Sequence, residues 1–193
     1  MPAFMPGYIY LILFCGWVAW LFPFFFLANR SQKAQRVDPR ARWGVVLQMI
    51  AYALLWQGHF WLFRPAVWRI TLGTLFFIVA SVLSWTSVRA LGRQWRVDAG
   101  INADHALVRS GPYAIVRHPI YTSMLCVLLG TGLLVTNWLL FGIALVVFLA
   151  GAGIRMQVEN RLLADRFGAE FTNYKRSVPA VIPGLLKRFL QSR

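Results

Sequence analysis

The chain has 193 residues, of which 59% are hydrophobic and 13% are charged, whereas a soluble domain carries about 25% charged residues. This composition excludes an ordinary soluble globular domain, because the long apolar runs would leave too little polar surface. The net charge of +14 would suit nucleic acid, but the placement of the basic residues favours a membrane surface, and no nucleic-acid partner is expected.

Five apolar segments approach the length of about 20 residues that a membrane-spanning helix needs. They are residues 7–28, 44–63, 70–88, 119–135 and 138–154. Between the last two, Thr136 and Asn137 predict a tight turn. We therefore expect an all-α, polytopic integral membrane protein with about five transmembrane helices, a cytoplasmic connector and a C-terminal amphipathic helix.

The expected organisation is a single membrane domain over residues 1–193. It comprises three N-terminal spans within 1–88, a connector over 89–118, a helical hairpin over 119–157, and a cytoplasmic helix and tail over 158–193. Apolar residues in the last part recur at roughly helical spacing, which predicts an amphipathic helix that bends near Gly168 and ends before Val178.

The basic residues predict the orientation in the membrane. All but two of the 20 lysines and arginines lie in residues 29–43, 89–117 and 155–193. With five spans these three regions share one face, which the positive-inside rule makes cytoplasmic. The amino terminus is then expected outside and the carboxyl terminus inside, with Arg64 and Arg69 on the outer side.

The connector over 89–118 is the longest polar stretch between spans. Its glycines and Pro112 argue against one continuous helix, and loops of this length are usually functional or disordered. Pro119 suits the first position of the following helix and disfavours the α conformation for the residue before it. We therefore expect His118 just outside that helix, free to face a ligand.

Two groups of polar side chains lie at the borders of apolar segments, where ionisable groups are costly and usually functional. The first contains His105, Tyr113, Arg117, His118 and Tyr121, and the second contains Arg155, Glu159 and Asn160. If residues 119–157 form a hairpin, both groups lie at the same end and converge on one pocket. The alternative is a set of interfacial anchors that extend toward water.

Common cofactor and metal signatures are missing from the sequence. Gly130-Thr131-Gly132 and Gly151-Ala152-Gly153 lie inside apolar spans without the preceding strand that a dinucleotide site requires, so they predict close helix packing instead. Three histidines without clustered carboxylates do not predict a metal site.

Together the two polar groups resemble the motifs of a known family. The first motif reads His105-x-Leu107-Val108-x-x-Gly111-x-Tyr113-x-x-x-Arg117-His118-Pro119-x-Tyr121, and the second reads Arg155-x-x-x-Glu159-Asn160-x-Leu162-Leu163. Both resemble the isoprenylcysteine carboxyl methyltransferase family, which is similar in turn to membrane phospholipid N-methyltransferases. The resemblance covers roughly residues 89–184. In the first two spans only the hydropathy supports it.

The resemblance implies S-adenosylmethionine as methyl donor, in a pocket without a Rossmann fold, and a lipophilic or lipidated acceptor that enters from the bilayer. The implied catalytic residues are His118, Arg155 and Glu159. Of these, Arg155 and Glu159 are implied to lie toward the acceptor and the charged end of the donor. No metal is implied. The implied cofactor-binding residues are His105, Leu107, Val108, Gly111, Tyr113, Arg117, His118, Pro119, Tyr121, Glu159 and Asn160.

One position departs from the family pattern. The family usually has paired glutamates where this chain has Glu159-Asn160. Asn160 can hydrogen-bond an amino group or a ribose hydroxyl, but it does not supply a second negative charge. The acceptor therefore stays open: an isoprenylcysteine-like carboxylate, or another lipid-borne carboxylate, amine or thiol.

Two other functions compete with the methyltransferase. A sterol-type membrane reductase also carries an Arg-His-Pro-x-Tyr-like element and uses NADPH, but the short chain and the Arg155-to-Glu159 pattern favour methyl transfer. A small transporter or scaffold would bind no cofactor, and it is disfavoured by the lack of charged residues within the spans and of repeat symmetry.

Overall fold

The computed structural model describes residues 4–27, 36–95, 100–101 and 106–182. Single 3₁₀ turns lie at Phe60–Leu62, Gly92–Gln94 and Gly111–Ala114. One short antiparallel pair joins β1 (Arg36–Val37) to β2 (Gly100–Ile101). The helices are α1 (Gly7–Phe26), α2 (Ala41–Leu55), α3 (Val67–Leu91), α4 (Pro119–Val135), α5 (Trp138–Phe167) and α6 (Ala169–Ser177).

The helices confirm the predicted all-α membrane fold. By length and composition α1, α3 and α5 can each cross a membrane, and α2 and α4 are shorter apolar helices. Large apolar side chains on the outer faces are exposed, among them Phe14 at 68%, Val82 at 57% and Val146 at 67%. Faces of this kind are suited to lipid rather than water. The chain is a multi-pass integral membrane protein.

The second predicted span, 44–63, is wrong at its carboxyl end. Helix α2 ends at Leu55, and Gly58 takes a φ of 80°, which belongs to the left-handed region that glycine favours. At 1.5 Å per residue α2 is about 22 Å long, shorter than the hydrocarbon core of a bilayer. The third span is longer than predicted, because α3 extends to Leu91 within the expected connector.

The carboxyl-terminal half agrees with the predicted start of α4, the turn before α5 and the break near Gly168. His118 is the N-cap of α4 and Pro119 its first residue. The turn at Thr136 and Asn137 is present, and the Asn137 side chain caps α5 by accepting a hydrogen bond of 3.0 Å from the Leu140 backbone N–H. Helix α5 continues past the expected span to Phe167. Gly168, with a φ of 51°, separates it from α6, which ends at Ser177.

The predicted hairpin of the last two spans does not form the main packing contact. Helix α5 packs chiefly on α2, and α4 packs chiefly on α3. Glycines permit both approaches: a Cβ added at Gly44 would lie 2.6 Å from the Gly151 carbonyl oxygen, and one at Gly73 would lie 3.2 Å from that of Gly130. This confirms close packing at Gly130 and Gly151, whereas a Cβ at Gly153 would meet nothing within 4 Å.

A buried arginine holds the far end of α4. Arg69, at the start of α3, donates hydrogen bonds to the carbonyl oxygens of Leu133 at 2.7 Å and Thr136 at 2.7 Å. The last carbonyls of a helix lack partners within the helix and carry a partial negative charge. Arg69 therefore satisfies them and fixes α3 against α4, a role that the sequence did not predict.

Candidate functional site

A cavity of about 470 Å³ lies among α1, α2, the connector, α5 and α6. Its lining has two parts. One is mainly polar and comes from the connector, the start of α4 and the second half of α5. The other is apolar and aromatic and comes mainly from α1 and α2. The lining includes Trp20, Phe24, Gln48, Met49, Tyr52, Leu107, Val108, Tyr113, Arg117, His118, Tyr121, Met124, Arg155, Glu159, Leu162 and Tyr174.

The start of α4 is fixed by the segment that follows α6. The backbone N–H groups of Arg117 and His118 donate to the carbonyl oxygens of Pro179 at 2.8 Å and Ala180 at 2.9 Å. The side chain of Arg117 adds a hydrogen bond of 2.9 Å from Nε to the Val178 carbonyl oxygen. This segment, residues 178–181, therefore holds His118 in place from outside the cavity.

His118 is 6% exposed and lies between two oxygen atoms from α5. Its Nδ1 is 3.3 Å from Glu159 Oε2, and its Nε2 is 3.2 Å from Asn160 Oδ1. The Asn160 amide is oriented by Arg117, whose Nη1 donates to the same oxygen at 3.1 Å. Both ring nitrogens thus face acceptors, and an imidazole protonated at both would donate to both.

Glu159 has a second donor on its other side. The Tyr121 hydroxyl donates to Glu159 Oε1, and Arg155 Nε donates to the Tyr121 oxygen at 2.8 Å. Arg155 and Glu159 are one helical turn apart and share a face of α5. The result is a continuous chain of hydrogen bonds from Arg155 through Tyr121 and Glu159 to His118, along one side of the cavity.

A hydrogen bond between two tyrosines joins the connector to α6 beside the site. The Tyr174 hydroxyl on α6 donates to the Tyr113 carbonyl oxygen at 2.6 Å. Burial raises the pKa of Tyr113 well above its usual range and that of Tyr174 to about 12, because a phenolate loses its hydration there. Burial also lowers the pKa of Arg117. At neutral pH both phenols are therefore neutral hydrogen-bonding groups.

Most of the predicted site residues come together around this cavity. Asn160 does not line it but lies behind Arg117 and His118. Pro119 begins α4, and Gly111, at a φ of 60°, begins the turn that carries Tyr113. His105 lies outside the described residues. The predicted residues that line the cavity are Leu107, Val108, Tyr113, Arg117, His118, Tyr121, Arg155 and Glu159.

Sequence reasoning missed the wall that α1 and α2 supply. Trp20 Nε1 donates to Ser123 Oγ at 3.0 Å, and the Tyr52 hydroxyl donates to the Met124 carbonyl oxygen at 2.8 Å; both residues also line the cavity. Gln48 is 2% exposed and lines it too. Its position as a polar residue inside an apolar segment was a signal that could have marked it.

Sequence comparisons find relatives of the chain among known proteins. The chain is 30% identical over 148 residues to the cobalt-zinc-cadmium resistance protein CzcN of Cupriavidus metallidurans, covering 74% of this chain and 62% of that protein. It is 39% identical over 85 residues to the protein-S-isoprenylcysteine O-methyltransferase of Schizosaccharomyces pombe, covering 42% of this chain and 35% of that enzyme.

A third relative acts on a small thiol. The chain is 34% identical over 76 residues to the methanethiol S-methyltransferase 2 of Bradyrhizobium diazoefficiens, covering 39% of this chain and 28% of that enzyme. The matched part of the chain thus spans between 28% and 62% of the length of these relatives. Residues 68–170, which carry α3 to α5 and both motifs, match the sequence model for phospholipid methyltransferases. The chain belongs to the phospholipid methyltransferase family.

Proposed function

We propose that the protein is an S-adenosylmethionine-dependent methyltransferase that acts at the membrane interface on a lipophilic acceptor. The observation that carries the proposal is the hydrogen-bonded chain from Arg155 to His118 along the polar side of a cavity whose other side is apolar. A charged donor and a lipophilic acceptor need these two environments in one cavity.

The side chains present suit the proposed donor. A cavity of about 470 Å³ falls within the usual range for small-molecule sites, roughly 300–1,000 Å³. Glu159 supplies a carboxylate for the donor's cationic groups, and Arg117 supplies a hydrogen-bond donor for its carboxylate. Leu107, Val108 and Leu162 supply apolar surface for its base. Asn160 is a positioning residue in this proposal, because it acts through Arg117 and His118.

The bound donor would supply an electrophilic methyl group on a sulfonium. The chain's own contribution is to align the acceptor and to exclude water, which can account for much of the acceleration of a displacement reaction. A carboxylate acceptor needs no base, and Arg155 would orient it. An amine or thiol would have to lose a proton, and the titratable groups Glu159 and His118 on the polar side would take it.

The acceptor proposed first is a carboxylate on an isoprenyl-type or other lipid chain. The Schizosaccharomyces pombe relative is named a protein-S-isoprenylcysteine O-methyltransferase. In this chain, Arg155 provides a cation beside the apolar side of the cavity. A lipid-borne amine or thiol is the alternative, since the Bradyrhizobium diazoefficiens relative is named for methanethiol.

We also infer that residues 1–193 act as a single membrane domain, because the same cavity draws residues from α1, α2, α5, α6 and the connector. The basic regions orient its amino terminus outside and its carboxyl terminus, with the site, in the cytoplasm.

The test incubates the purified protein with methyl-labelled S-adenosylmethionine and three acceptor pools: S-farnesylcysteine, methanethiol and a total lipid extract. Base-labile label on a lipophilic product is expected, since a methyl ester releases methanol in alkali. Label on methanethiol alone would overturn the lipophilic acceptor. No transfer to any pool, together with no binding of S-adenosylmethionine, would overturn the methyltransferase proposal.

A further inference from the structure

The apolar side of the cavity contains one polar group that the hydrogen bonds of the described residues leave unused. Gln48 lines the cavity and is 2% exposed, yet its Nε2 has no hydrogen-bond partner within the described part of the chain. A buried amide without a partner is costly. Such a group is normally retained only when something else satisfies it.

Neighbouring polar groups on the same side are already satisfied. The Tyr52 hydroxyl, one turn further along α2, donates to the Met124 carbonyl oxygen, and Trp20 Nε1 donates to Ser123 Oγ. Met49 and Met124 add apolar lining. A ligand that enters this side therefore meets a mainly apolar surface, and the buried Gln48 amide beside it has no hydrogen-bond acceptor within the described residues.

The Gln48 side chain lies at a close contact between α2 and α5. A Cβ added at Gly151 would lie 3.2 Å from Gln48 Cγ, and one at Gly44 would lie 2.5 Å from Arg155 Cγ. Gln48 therefore packs against α5 at Gly151, one turn before Arg155. This places it on the apolar side of Arg155, away from His118 and Glu159.

We propose that Gln48 binds the methyl acceptor, by donating a hydrogen bond from Nε2 to an acceptor-borne oxygen such as a carbonyl or carboxylate oxygen. The proposal rests on the proposed methyltransferase function. An acceptor oxygen satisfies the amide in the complex, and a molecule without such an oxygen leaves it unsatisfied. Gln48 thereby selects among lipophilic molecules that the apolar wall alone would not distinguish.

The test compares wild type, Gln48→Met and Gln57→Met in lipid nanodiscs. Methionine keeps the length of the side chain and removes the donor. Gln57 is the matched control, since it is exposed and its Nε2 donates at 3.0 Å to the Ala53 carbonyl oxygen at the end of the same helix. The readouts are the rate against the concentration of S-farnesylcysteine, the Kd for S-adenosylhomocysteine and the melting temperature.

For Gln48→Met we expect a rise of about tenfold in the acceptor KM, the loss expected for one hydrogen bond, with an unchanged Kd for S-adenosylhomocysteine. The melting temperature should be equal to or above that of wild type, because an unpartnered buried amide is removed. Gln57→Met should match wild type in KM and Kd.

A lower melting temperature for Gln48→Met would overturn the proposal in favour of a structural role. An unchanged acceptor KM, or an equal loss of affinity for S-adenosylhomocysteine, would overturn it as well. Failure of the wild type to bind S-adenosylhomocysteine would instead refute the proposed function, and the melting temperatures would still decide whether Gln48 has a structural role.

Discussion

At the scale of single residues, Glu159 is the group on which the polar side of the cavity depends. It accepts a hydrogen bond from Tyr121 and pairs with His118 at 3.3 Å. Its neighbour Asn160 stands where the pattern that the sequence resembles has a second glutamate, and its side-chain oxygen accepts from Arg117 and lies 3.2 Å from His118 Nε2. A neutral amide is therefore sufficient to orient these two side chains.

The first prediction concerns the charge of Glu159. Glu159→Gln should weaken S-adenosylhomocysteine binding by about 10- to 100-fold, since a hydrogen bond to a charged group contributes about 1.5–3 kcal/mol. Calorimetric titration of the purified protein measures this. Glu170→Gln is the control, because it breaks an ion pair of 2.6 Å with Arg109 that is about half exposed and contributes at most about 1 kcal/mol. Equal affinity in both variants would contradict the role given to Glu159.

The second prediction concerns the hydroxyl of Tyr174. Tyr174→Phe should lower the free energy of unfolding by about 1–2 kcal/mol at pH 8, because the Tyr113 carbonyl loses its donor. Burial raises the pKa of Tyr174 to about 12, so the unfolded phenol ionises first and wild type loses stability from about pH 10 upward. The variant lacks this contribution, and its stability should fall less steeply over that range.

Thermal unfolding in detergent from pH 8 to pH 11 measures both effects of Tyr174→Phe. Tyr8→Phe is the control, since the Tyr8 side chain is 55% exposed on α1. A Tyr174→Phe protein as stable as wild type at pH 8 would show that the hydrogen bond to Tyr113 does not hold the connector.

At the scale of helices, α2 and α5 make a close contact beside the cavity. A Cβ at Gly44 would lie 2.5 Å from Arg155 Cγ and 2.6 Å from the Gly151 carbonyl oxygen, so the backbone itself has to move. The helix that carries Gln48 is in this way tied to the helix that carries Arg155 and Glu159.

The third prediction follows from this contact. Gly44→Ala should destabilise the protein by about 1–3 kcal/mol, the usual cost of overpacking, and should also lower methyl transfer, because Arg155 is displaced. Gly142→Ala on α5 is the control: a Cβ there meets nothing within 4 Å, and alanine favours a helix over glycine. Melting temperatures and labelled-product rates measure the outcome, and a Gly44→Ala protein that matches Gly142→Ala in both would refute the tight contact.

The sequence predicted the local parts of this architecture better than the partners of each helix. Pro119 and Gly168 act on their own neighbours, so the start of α4 and the break after α5 could be predicted from the residue type alone. In a helix that is apolar all round, hydrophobic periodicity does not distinguish the packed face from the lipid face. The pairing of α2 with α5, and with it the positions of Gln48 and Tyr52, therefore could not be predicted.

At the scale of the whole molecule, the distribution of charge predicts one orientation in the membrane. Arg64 lies in the loop before α3, whereas Arg176 lies in the last turn of α6. In a background with Cys15→Ser and Cys126→Ser, Arg64→Cys should react with a membrane-impermeant maleimide on intact cells. Arg176→Cys should react only after the cells are permeabilised, and the reverse pattern would contradict the positive-inside assignment.

The central claim is that the cavity binds a methyl donor, and titration of the purified full chain with S-adenosylhomocysteine tests it most directly, with NADPH as the comparison. We predict saturable binding of S-adenosylhomocysteine and a melting temperature that rises with its concentration, because a ligand that binds only the folded state stabilises it. NADPH should give neither effect. Stabilisation by NADPH without any response to S-adenosylhomocysteine would contradict the account.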